Sequence, residues 1–123
     1  MTGRADGIIP SNHGSRAYFG LNKLVAGGES KLSYIEVKNA QHLHALIPVP
    51  GFSTEYVPLH HYFLEALDLM FAHLQGSEAL PASQVVRPQP RATAEAVLTL
   101  GDLPPIEQAP DEGDRILFTG EPW

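Results

Sequence analysis

Apolar positions recur along this chain with two different periods. Tyr18, Leu21 and Val25 fall at helical spacing and predict a helix from about Asn12 to Val25. Ser11 or Asn12 can cap its start by accepting a bond from an orphan N–H, and Gly27-Gly28 ends it. The next run, "KLSYIEVK", is short and rich in β-branched and aromatic residues, which favours a strand. Residues 43 to 57 carry Pro and Gly and read as a loop. In "PLHHYFLEALDLMFAHLQG", Pro58 suits a first helical turn and Gly76 a C-terminal stop. Leu59, Phe63, Leu67, Met70 and Leu74 predict the buried face, widened by Tyr62, Ala66 and Leu69.

The two ends break this rhythm. "GRADGIIPSNHGS" is turn-rich and is expected to open without a strand of its own. Seven of the eleven prolines lie in residues 77–123, where "RPQPRATAEA" and "LPPIEQAPDEGD" show no period that builds a core. One strand and two helices do not complete a parallel sheet, which needs several strands covered on both faces. The expectation is therefore an α/β chain with an incomplete sheet, in the order helix, strand, long loop, helix. Residues 1–76 form its folded segment and residues 77–123 a Pro-rich extended tail.

Composition narrows the partners. The formal charge of −6 gives nucleic acid no electrostatic footing. No apolar run approaches the roughly 20 residues that span a bilayer. The opening residues have no apolar core of a signal peptide. There are no cysteines, so thiolate chemistry is excluded.

Asp6 stands in a turn and His42 follows the strand, with the helix between them. In a Ser-His-Asp triad a carboxylate fixes the tautomer of an imidazole that takes the serine proton, and α/β-hydrolases order these residues serine, acid, histidine along the chain. From spacing alone both residues have a second reading. Asp6 can bond its own backbone two residues on, and His42 can simply serve a carbonyl. Asn39 and Gln41 flank the histidine and either orient it or satisfy turn backbone. His42 and His44 form H-x-H, and His61 with Glu65 has i,i+4 spacing, a pattern compatible with zinc but lacking an H-E-x-x-H motif. Tyr18, Phe19, Phe52, Tyr56, Tyr62 and Phe63 can line an acyl pocket or pack a core. Arg87 and Arg91 can meet a carboxylate or belong to a solvated tail.

Four successive blocks add to this: "GRADGIIPSNHGSRAYFGLN", "SYIEVKNAQHLHAL", "PGFSTEYVPLHHYFLEALDLMFAHL" and "LPASQVVRPQPR". Together they resemble the D-(-)-3-hydroxybutyrate oligomer hydrolases, serine esterases that cut short oligomers of 3-hydroxybutyrate. The resemblance runs from Gly3 to about Pro105. Leu43 and His44 depart from the Phe and Asp that usually follow the histidine in that family. The resemblance implies the C-terminal part of an α/β-hydrolase fold, with Asp6 as the triad acid and His42 as its base. It implies a small ester substrate, no cofactor, no metal, and an extracellular or periplasmic setting. The family's nucleophilic serine lies in a large N-terminal part, and no G-x-S-x-G occurs in these 123 residues. The expected partner is then that N-terminal half or a second copy. The alternative is a non-catalytic piece that serves binding or assembly.

Overall fold

A computed structural model describes residues 1–120. Strands β1 (Thr2–Gly3), β2 (Ile35–Val37) and β3 (Gln84–Val86) form one parallel sheet in the order β1-β2-β3. Helix α1 (Ser15–Ala26) joins β1 to β2, and helix α2 (Leu59–Leu74) lies between β2 and β3. No helix among the described residues is long and apolar enough to cross a membrane.

β2 is the centre of the molecule. Tyr34 through Val37 are all buried, so the strand is covered on both faces. Side chains alternate across a strand, and each face recruits its own helix. Tyr34 stacks on Phe19 of α1 with ring centroids 5.4 Å apart. Ile35 and Val37 join Ala40, Val57, Val86, Ile106 and the fully buried Tyr62 of α2 in the main core. Helices on both faces of a parallel sheet are what such sheets require.

Glu36 shares the α1 face and is buried. Arg16 reaches it with two donors, one of them Nη2 to Oε2 at 2.8 Å, and Arg4 Nε adds a contact at 3.0 Å. Burial works against the charge of Glu36, but the Arg16 and Arg4 guanidiniums outweigh it and hold the carboxyl below its ordinary range. This group clamps β1, α1 and β2 together.

Several expectations change here. Among the described residues there are three strands rather than one. Thr2–Gly3 pairs with Glu36 and Val37, and Gln84–Val86 pairs with residues 35–37. α1 is not capped by Ser11 or Asn12. Gly14 precedes it without a side-chain cap, Ser11 Oγ turns to the Gly3 carbonyl, and Asn12 accepts from Arg16. Its stripe of Tyr18, Leu21 and Val25 is exposed, and Phe19 is the residue that enters the core.

On α2 the inner face is Leu59, Tyr62, Ala66 and Leu69, while Phe63, Leu67, Met70 and Leu74 look outward. The helix stops as expected for a glycine in the left-handed region. Gly76 has φ 75°, and the amides of Gly76 and Ser77 return to the carbonyls of His73 and Ala72, a Schellman closure.

The proline-rich segment packs back on this body at several points. Ile106 enters the core, and its amide donates to Glu65. The Gln84 side chain holds the backbone of Glu107 from both sides. Ile116 donates to the Ser83 carbonyl, and Arg115 bridges antiparallel to Gln84.

Candidate active site

The register of β1 on β2 sets the site. Thr2 lies opposite Glu36 and Gly3 opposite Val37, and both strands run the same way. The chain leaves each at the same edge of the sheet. Beyond that edge the pairing continues through Arg4 N–H to Val37 O at 2.8 Å and Ala5 N–H to Ala40 O at 3.1 Å. Asp6 and His42 follow directly. Loops past the carboxyl ends of parallel strands are where open α/β sheets place their chemistry.

Thirty-six positions apart in sequence, the two side chains meet. His42 Nδ1 lies 2.8 Å from Asp6 Oδ2. The other carboxylate oxygen, Oδ1, accepts the amides of Ile8 at 2.9 Å and Ile9 at 2.8 Å. Asp6 thus bonds its own turn through one oxygen and the imidazole through the other. Asp6 is buried, which alone would raise its pKa. The Ile9 amide, the His42 ring and the Ile8 amide outweigh burial and hold the carboxyl below its ordinary range. An ionised carboxylate only accepts hydrogen bonds, so the neutral imidazole must carry its proton on Nδ1 and leave Nε2 as a lone pair. The His42 side chain is 38% exposed, and Nε2 has no hydrogen-bond partner among the described residues.

The surroundings fix this pair from two sides. Gln41 Oε1 accepts the Gly7 amide at 3.2 Å, tying the acid's turn to the histidine's loop. Asn39 adopts φ 56°, a left-handed conformation Asn tolerates. Its side chain donates to Pro88 O, and its carbonyl accepts the Val57 amide. Asn39 therefore anchors the loop at both ends, and the Asn39 and Gln41 side chains bond to backbone rather than to the imidazole. Gly3, unremarked in the sequence pattern, lies so close to the Ala40 carbonyl that no larger residue fits. Only a glycine opening the "GRAD" block hinted at it.

The other candidates lie elsewhere. His44 stacks on His60 with centroids 5.1 Å apart. Glu65 uses Oε1 on the Ile106 amide and does not join His61 in a metal set. Among the described residues no three His, Asp or Glu side chains come together as metal ligands. Phe19 and Tyr62 are core, and Tyr18 is exposed. Phe52 and Tyr56 pack edge to face within their own loop. Arg87 pairs with Asp114.

The lowered pKa of Asp6 makes a checkable statement. Its contribution to stability is complete above the ordinary carboxylate value of 3.8 and is lost as pH falls through the lower folded value. Urea unfolding between about pH 7 and pH 2 should therefore show a smaller loss of stability for Asp6→Asn than for the unaltered chain. Equal pH profiles would show that the carboxylate is not held by its partners.

Residues 1–122 match the family model described as 3HB-oligomer hydrolase (3HBOH). A D-(-)-3-hydroxybutyrate oligomer hydrolase of Polaromonas sp. is 50% identical over 119 residues, covering 94% of this chain and 17% of that relative. One of Albidiferax ferrireducens is 48% identical over 121 residues, covering 96% and 17%. One of Cupriavidus metallidurans is 48% identical over 127 residues, covering 98% and 18%. The chain thus spans less than a fifth of the length of the relatives it matches. No solved structure matches it.

Proposed function

Because the chain belongs to the 3HB-oligomer hydrolase family, we propose that it carries the acid and base of a serine esterase acting on 3-hydroxybutyrate oligomers. Asp6 is the acid, His42 is the base, and the attacking hydroxyl comes from outside these 123 residues. The observation that carries this reading is the 2.8 Å contact between His42 Nδ1 and the buried Asp6 carboxylate, formed at one edge of a parallel sheet with Nε2 left open.

The chemistry follows from that geometry. Nε2 takes the proton as the serine oxygen bonds to the ester carbonyl carbon. The resulting imidazolium is stabilised by Asp6, which stays ionised. Nε2 then returns the proton to the oxygen of the departing 3-hydroxybutyrate as the ester C–O bond breaks. Water repeats the cycle on the acyl-enzyme and frees the second acid. Nothing in these steps calls for a cofactor or metal. The setting suggested for the family, outside the cytoplasm, remains part of this proposal.

Reassembly tests it. The chain is mixed with a polypeptide comprising the part of the Polaromonas relative outside the match, and release of 3-hydroxybutyrate from its linear dimer is followed. Cleavage is expected from the mixture and not from this chain alone. A complex that forms yet cleaves nothing would refute the reading.

A further inference from the structure

The sheet is closed on one side and open on the other. At the β3 edge the chain's own residues Arg115 and Ile116 lie alongside Gln84 and Ser83. At the β1 edge no strand pairs among the described residues. On the α2 face of the sheet a groove of about 230 Å³ is lined by Met1 before β1, Ile35, Phe63, Leu67, Met70 and, toward β3, Pro81 and Ile106. Phe63, Leu67, Met70 and Leu74 continue it as an i, i+4, i+7, i+11 stripe along α2, exposed by 46%, 48%, 45% and 75%. In α2 only Glu65 and Asp68 carry a formal charge, and Glu65 is engaged with Ile106. A helix apolar on nearly every side is a helix meant to be covered, and an apolar surface of this continuity marks an interaction site.

We propose that the groove and the outer stripe of α2 are the docking surface for the serine-bearing polypeptide of the same family, whose sheet continues past β1. This rests on the functional reading above and adds the face that joins the two parts. The choice of occupant follows from two observations. The relatives have more than four fifths of their length outside the match, so there is chain to cover the face. The open edge is that of β1, the strand leading into the Asp6 turn, so a strand added there extends the sheet on the acid's side of the site. Part of that edge is already used, because the Gly3 carbonyl accepts from Ser11 and Asp6. The apolar stripe is therefore the main source of affinity.

The test pairs a double variant, Leu67→Asp with Met70→Asp, with the mixing experiment. The variant chain alone should keep the melting transition of the unaltered chain and bind less of a dye that reports apolar surface. Loss of its fold would show that these side chains serve this chain's own core and would overturn the proposal. On mixing with the remaining part of the Polaromonas relative, amide exchange should slow across residues 63–74 and not across 112–116. The double variant should weaken association at least a hundredfold, while Val97→Asp, at an exposed position away from the groove, should not. The same protection in the chain alone at high concentration would make the face an interface between copies and overturn the assignment. His42→Ala should leave association unchanged. Cleavage restored without protection of residues 63–74 sinks this surface alone, and protection without cleavage sinks the catalytic reading alone.

Discussion

His42→Ala should lower the turnover of the reassembled hydrolase on the order of 10⁶-fold, a loss as large as removing a whole triad in enzymes of this design. The reason is positional. His42 Nε2 is the open lone pair of a ring held by a carboxylate whose pKa is lowered, so without the ring the base that Asp6 orients is gone. KM should change little, because the imidazole acts on charge that develops only in the transition state. Asp6→Asn should cost less, on the order of 10⁴-fold. The amide can keep the Ile8 and Ile9 bonds, but its NH₂ can also donate to the ring and favour the tautomer with the proton on Nε2. Both variants sit on loops beyond the strands, and the His42 ring is partly exposed, so the fold should survive; a melt of each variant checks this. Steady-state cleavage of the 3-hydroxybutyrate dimer by each mixture is the measurement. Activity of His42→Ala within tenfold of the unaltered mixture would remove His42 from the reaction.

The residues differ in how openly they announced these roles. β2 could be read because Tyr34, Ile35 and Val37 give a short run the aromatic and β-branched content of a strand, and α2 because its apolar positions run for four turns between Pro58 and Gly76. The orientation of α2 could not be read. Of its two rows Phe63–Leu67–Met70–Leu74 is the more apolar, yet Leu59–Tyr62–Ala66–Leu69 is the one that packs on the core. β1 is two residues, Thr-Gly, too short to show a strand pattern; its conformation comes from the ladder to Glu36 and Val37. β3 lies between Pro81 and Pro88 and is held by partners far along the chain, Glu107 and Ile116. The closeness of Asp6 to His42 depends on that same β1–β2 register, which no local pattern encodes; their order along the chain and the four blocks suggested it instead. The roles of Glu36 and Gly3 went unread for a related reason. A glutamate in a strand looks solvent-facing until Arg4 and Arg16 are seen to converge on it, and a glycine's value at a close approach shows only when the neighbouring backbone is in place.

That neighbouring backbone makes Gly3→Ala the substitution with the largest expected effect on stability. A Cβ at Gly3 would lie 2.3 Å from the Ala40 carbonyl oxygen and 2.7 Å from its carbon. Neither atom belongs to a side chain that can swing away. Ala40 is fully buried, and its carbonyl holds the Ala5 amide at 3.1 Å. Relief therefore requires β1 to part from the turn after β2. That movement breaks the last ladder bond before Asp6 and draws the carboxylate away from His42. The cost should be about 3 kcal/mol, the upper end of what overpacking does, because backbone rather than side chain must yield. In a chain of this size that corresponds to a melting temperature lower by roughly 10 °C. Gly7→Ala is the matched control, one turn further on. Its Cβ would meet nothing nearer than Gln41 Oε1 at 4.0 Å, and the melt should move by no more than a degree or two. If catalysis depends on the register of β1 on β2, the reassembled Gly3→Ala hydrolase should also lose turnover at temperatures where it remains folded. Gly3→Ala and Gly7→Ala chains that melt together would mean that the two loops are not held as closely as the structure has them.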